Sequence, residues 1–120
     1  MGLDIFFGTP GGDDSFFYLR DHWDFFSLIC TPEPQQYDPE YTDFLITHHM
    51  LNRIEANLLA DCVAEGLSLD LVPDTLPNDF DDWDAPEVPW TELLPCYLCI
   101  VKDFRVQVNQ FGFIICGWSA

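Results

Sequence analysis

The apolar positions fall into short segments separated by Gly and Pro. Residues 3–7 (Leu-Asp-Ile-Phe-Phe) read as a strand that Gly8 closes. Pro10, Gly11 and Gly12 then mark a turn-rich loop. Asp13, Asp14 and Ser15 offer N-caps, and SFFYLRDHWDFFSLIC predicts a helix over about 15–30, aromatic on more than one side. Pro32 and Pro34 break it. A long helix is predicted from Asp38 as N-cap, with Pro39 in its first turn, to Glu65, with Gly66 as C-cap. At 100° per residue, Phe44, Leu51, Leu58 and Cys62 form its apolar stripe, flanked by Leu45, Leu59 and Val63. Glu40, Asp43, Asp61 and Glu65 follow one edge of that stripe. Glu55 falls inside it, so a bend or a satisfied ion pair is expected there.

Residues 68–92 change character. Pro73, Pro77, Pro86 and Pro89 punctuate an acidic loop whose centre holds Asp79, Phe80, Asp81, Asp82, Trp83, Asp84 and Glu87. So long a loop inside one domain is often functional. The rest reads as sheet. Residues 104–109 alternate with period two, and 97–101 and 111–118 have strand composition. Lys102-Asp103 and Asn109-Gln110 would be the turns. The expected fold is therefore α+β in a single domain: two helices, the second long, on a small antiparallel sheet of about three or four strands.

Composition agrees with a folded chain. Of 120 residues, 48% are apolar and 16% aromatic, unlike a disordered acidic tail. No apolar run is long enough to span a membrane. The opening Met1-Gly2-Leu3-Asp4 lacks the basic region of a signal peptide and the Ser or Thr of a myristoylation signal, so a cytoplasmic location is expected. Five cysteines, Cys30, Cys62, Cys96, Cys99 and Cys116, are then expected as reduced and mostly buried thiols.

Charge changes the picture most. Twenty-one Asp and Glu oppose four Lys and Arg, a formal charge of −17. Such a surface repels nucleic acid and anionic lipid and steers basic partners toward it. Surface scaling gives roughly 6,600 Å² for this mass, or about 390 Å² per net charge. Duplex DNA carries a charge per about 110 Å², so imitation of DNA requires the acids to be clustered.

The chemical motifs are fragmentary. Pro95-Cys96-Tyr97-Leu98-Cys99 matches half of a zinc deaminase signature, but His22-Trp23-Asp24 lacks the Glu of its H-x-E half. On the expected strand, Cys96 and Cys99 would point to opposite faces. His48 and His49 are adjacent, so they cannot share a metal as an i, i+4 pair does; one is expected to flank the core. Asp79, Asp81 and Asp84 fail the calcium-loop pattern, because Asp84 and Trp90 stand where Gly and Glu are needed. There is no phosphate loop and no nucleophile elbow. No enzyme and no cofactor is expected.

Met1-Gly2-Leu3-Asp4-Ile5, followed by Phe17-Tyr18-Leu19-Arg20-Asp21-His22-Trp23, resembles a loose group of small phage and bacterial proteins of unassigned function. In size, charge and aromatic content the chain also resembles phage anti-defence proteins, including anti-CRISPR and anti-restriction DNA mimics. That resemblance of type implies an inhibitor of a basic nucleic-acid-binding protein or ribonucleoprotein complex. No direct nucleic-acid or membrane contact is expected. The residues expected to meet the partner are Asp79, Phe80, Asp81, Asp82, Trp83, Asp84 and Glu87 in the loop, with Trp90 as a further aromatic anchor, and Glu40, Asp43, Asp61 and Glu65 on the helix. The alternatives are an immunity protein or antitoxin against a basic nuclease, a zinc protein using Cys96 and Cys99, and an acidic homodimer.

Overall fold

The computed structural model describes residues 2–12, 15–30, 43–80, 83 and 85–120. The elements in chain order are β1 (Asp4–Gly8), β2 (Ser15–Arg20), α1 (Trp23–Cys30), β3 (Phe44–Ile46), α2 (His48–Ala64), α3 (Trp90–Phe111) and β4 (Ile114–Ser119). Two 3-10 turns, Leu69–Leu71 and Ala85–Glu87, lie between α2 and α3. The fold is α+β, as expected, with four antiparallel strands in the order β2-β1-β4-β3.

Strand alternation sets the two faces of the sheet. Ile5 and Phe7 of β1, Leu19 of β2, Ile114 and Cys116 of β4, and Phe44 and Ile46 of β3 point inward and are buried. The helices cover this face. Phe104 of α3 packs on Phe7 with ring centroids 4.7 Å apart, and Phe26 of α1 meets Trp118 at 5.5 Å. The opposite face carries Phe6 and Tyr18, an exposed cross-strand pair with centroids 5.1 Å apart.

Three expectations are corrected. First, Ser15–Arg20 is a strand and the first helix begins only at Trp23. Phe16, Phe17 and Tyr18 suit a pleated surface, and pairing with β1 overrides the cap signals before them. Second, the long helix starts at His48, where the Thr47 side chain accepts from the Met50 N–H. Phe44–Ile46 pairs with β4 instead, and Asp38, Pro39 and Glu40 lie outside the described residues. Leu51, Leu58 and Cys62 do face the core with Met50 and Ile54, and Gly66 supplies the left-handed φ of 68° that ends the helix. Val63 is exposed.

Third, residues 97–109, expected as two strands, lie in α3, the longest helix, with Lys102-Asp103 and Asn109-Gln110 inside it. Its stripe is Leu94, Tyr97, Val101, Phe104 and Val108, all buried at i, i+3 and i+4 spacing, while Val106 is exposed. Pro95 lies inside the helix, in its second turn, where it cannot donate the bond that residue 95 would otherwise make to the Thr91 carbonyl. The sheet's last strand, β4, overlaps the expected 111–118 region and runs on to Ser119, and Gly112 makes the turn into it with φ 93°.

Candidate functional site

The expected partner-facing residues separate into distinct places. Phe80 is buried, with its ring 5.4 Å from His22 and 5.2 Å from Trp83. It pins the acidic loop to its own domain. Trp83 is partly buried against the same core. Asp79 and Glu87 are exposed. Asp81, Asp82, Asp84 and Glu40 lie outside the described residues. Asp43 is not on α2: it precedes β3, and its carboxylate lies over Gly117 of β4.

Asp61 and Glu65 take part in a more extensive acidic end. The Trp90 indole N–H donates to the Asp61 carboxylate at 3.0 Å, which ties the start of α3 to the last turns of α2. Glu65 follows Asp61 by one helical turn, and Glu92 lies in the first turn of α3, where the helix dipole favours an anion. Glu87 belongs to the 3-10 turn just before α3. A cavity of about 150 Å³ continues this end toward α1, lined by Asp21, Trp23, Asp24, Pro86, Leu93 and Tyr97. Trp23 stands 47% exposed among these acids. Asp24, Asp61, Glu65, Glu87 and Glu92 are all exposed.

The cations do little to offset this end. Arg20 pairs with Asp4 at 3.1 Å and lies 3.9 Å from Asp21; Tyr18 donates to the same Asp4 carboxylate. Arg105 meets Glu55 at 3.4 Å, which supplies the ion pair expected for an acid inside the stripe. Lys102 lies 3.9 Å from Asp74. The Nε and Nη2 of Arg53 are buried and make no hydrogen bond among the described residues. Three of the four cations thus face carboxylates of their own chain. The folded surface of 7031 Å² leaves about 410 Å² per net charge if spread evenly.

The interior titratable groups are held neutral. The His22 Nδ1 lies 2.7 Å from the Tyr97 hydroxyl, and burial lowers the imidazole below its usual value while a weaker attraction to Asp21 opposes this. Burial also raises Tyr97. Cys96 and Cys99 are not on opposite faces of a strand. Both are buried in α3, three residues apart, and burial with the neighbouring Cys99 pushes the Cys96 thiol up to about 11. Burial likewise raises the Cys30, Cys62, Cys99 and Cys116 thiols. Among the described residues, no group of three or more His, Cys, Asp and Glu comes together as a metal site. Both His48 and His49 are exposed, and His48 Nε2 meets Asn109 Oδ1 at 2.7 Å. Among the described residues no helix is long and apolar enough to cross a membrane.

Trp90 was expected as an aromatic anchor of the loop, whereas Trp23, Asp24 and Glu92 were not among the residues expected to meet a partner. Only a weak signal marked two of them: Asp24 and Glu92 stand in the first turns of helices. The Asp61–Trp90 contact spans 29 residues and has no local signature. No family model, curated protein or solved structure matches the chain.

Proposed function

We propose that the chain is an acidic protein-binding inhibitor that occludes a basic, nucleic-acid-binding surface of a host complex, in the manner of a phage anti-defence protein. The observation that carries this reading is the acidic end. Asp61, Glu65, Glu87 and Glu92 are exposed on the end of α2, the 3-10 turn and the first turn of α3, segments that the Trp90–Asp61 hydrogen bond joins, while Arg20, Lys102 and Arg105 face other carboxylates. Lys and Arg that otherwise hold phosphates would meet these carboxylates, and Trp23 offers an aromatic face for a guanidinium. Because such attraction is screened, binding weakens as salt rises.

The test is a fourfold neutralisation, Asp61→Asn, Glu65→Gln, Glu87→Gln and Glu92→Gln. Complexes captured from host lysate at low salt are identified first, and their affinity is then measured across salt. The reading expects a nucleic-acid-binding complex whose affinity for the variant is at least about tenfold weaker, with a shallower salt dependence. Unchanged affinity and salt dependence would remove the acidic end from the function.

A further inference from the structure

β2 is an edge strand, because β1 pairs with it on one side and the sheet order ends there. The direction of its free backbone groups follows from the register. The Asp21 N–H donates to the Leu3 carbonyl at 2.7 Å, and β1 and β2 continue in the same antiparallel register through Ile5↔Leu19 and Phe7↔Phe17. Ladder bonds in an antiparallel pair fall on alternate residue pairs, so Leu19 and Phe17 bond to β1. Tyr18 and Arg20 therefore turn their N–H and C=O outward to the open edge.

This edge forms one wall of a trench. Cavities of about 300, 390 and 140 Å³ adjoin along it, the first two sharing Phe16, Phe17 and Leu76, the last two sharing Tyr18 and Phe80. The opposite wall is the segment from Leu76 to Phe80, together with Trp83. Phe104 and Val106 of α3 line the apolar end. Two acids rim the trench: Asp103 lines its apolar end, and Asp79 lies exposed between the wall residues Asn78 and Phe80, while Arg20 at the other end is paired with Asp4.

We infer that this open edge receives a short extended segment of a partner protein, which adds to the sheet as a fifth strand beside β2. Main-chain bonding at Tyr18 and Arg20 would hold it, as in strand addition to other exposed edges. The register shift beside Phe16 ends the regular ladder, so the added strand is short. An apolar side chain fills the depression at Phe16, Leu76 and Phe104, and cationic residues meet Asp79 and Asp103. The cationic character of the segment rests on the proposed function above; the strand geometry does not. A second copy of this chain is the poorer occupant, because pairing would bring together two molecules of charge −17.

The test uses the full-length protein labelled with ¹⁵N and a capped peptide of alternating Lys and Val, about six residues long, which matches a typical strand. Amide exchange is read residue by residue. The peptide is expected to slow exchange at Tyr18 and Arg20 about tenfold or more, and the same peptide N-methylated at alternate amides is expected not to. A Tyr18→Pro variant removes one edge donor while leaving the β1 ladder intact, and should weaken peptide binding. Equal binding of both peptides, or perturbation confined to the Asp61–Trp90 end, would overturn the strand-addition inference and leave the charge-based function standing. Concentration-dependent protection of Tyr18 and Arg20 without any peptide would also overturn it, by assigning the edge to a second copy. Protection by the Lys-Val peptide together with unchanged partner affinity in the fourfold variant would reject the acidic end and retain the edge.

Discussion

The His22 imidazole and the Tyr97 phenol meet at 2.7 Å in the core and join the entry of α1 to the second turn of α3. Burial keeps the His22 ring uncharged at neutral pH. The unfolded chain protonates near the usual value of about 6.5, and the folded chain only at lower pH. The unfolded state therefore binds more protons between the two values, and stability falls as pH drops through that window. His22→Gln should flatten this part of the acid limb, as read from urea midpoints at pH 7 and pH 5. Identical pH slopes in the two proteins would remove His22 from the explanation.

Tyr97→Phe leaves the His22 Nδ1 without its partner in a buried place. A loss of about 1–3 kcal/mol is expected, measured by denaturant unfolding. The double variant His22→Leu with Tyr97→Phe removes both polar groups and should be less destabilised than the two single losses added together.

The Trp90–Asp61 hydrogen bond predicts a different pattern, since its carboxylate is exposed. Trp90→Phe should cost about 1 kcal/mol or less in the bond itself. Asp61→Asn keeps an acceptor oxygen and should be nearly neutral. A double-mutant cycle between Asp61→Ala and Trp90→Phe isolates the coupling, and a value of zero would mean that packing alone joins α3 to α2 there.

Much of this arrangement was legible in the sequence, and the exceptions have a common cause. The N-terminal strand, the core half of α2, the stop at Gly66 and the last strand follow from local periodicity and punctuation. Residues 104–109 misled because the six residues Phe, Arg, Val, Gln, Val and Asn satisfy the strand rhythm, while the helical rhythm of Leu94, Tyr97, Val101, Phe104 and Val108 shows only over a longer window. Valine content favours strands, yet packing of Phe104 on Phe7 and Phe17 decides the outcome. For the candidate site, the excess of acid was plain, but the joining of α2 to the start of α3 through Asp61 and Trp90 is made only by the tertiary fold.

Self-repulsion among the exposed acids predicts that salt stabilises the chain. Raising ionic strength from about 0.01 M to about 0.15 M shortens the Debye length from ~30 Å to ~8 Å and damps that repulsion. The unfolding midpoint should rise by several degrees in calorimetry. A flat response would mean that repulsion is already offset locally.

Gly112 holds φ 93° where α3 reverses into β4. Gly112→Ala meets no side-chain obstruction, so its expected cost of about 1 kcal/mol or more is conformational alone. A midpoint unchanged in urea would show that the turn relaxes without strain.

The two strands at the centre of the sheet, β1 and β4, come from opposite ends of the described chain: Asp4 pairs with Ser119 and Gly8 with Ile115. The α2–α3 packing bridges a much shorter stretch of sequence. A nascent chain thus carries a β1–β2 hairpin whose β1 edge, Asp4 to Gly8, is unpaired as well as the edge of β2, throughout the synthesis of everything between. Only the final strand closes it. Hydrophobic Ile5 and Phe7 sit on that hairpin, so until β4 arrives an apolar strand with an unpaired edge is open to misassembly.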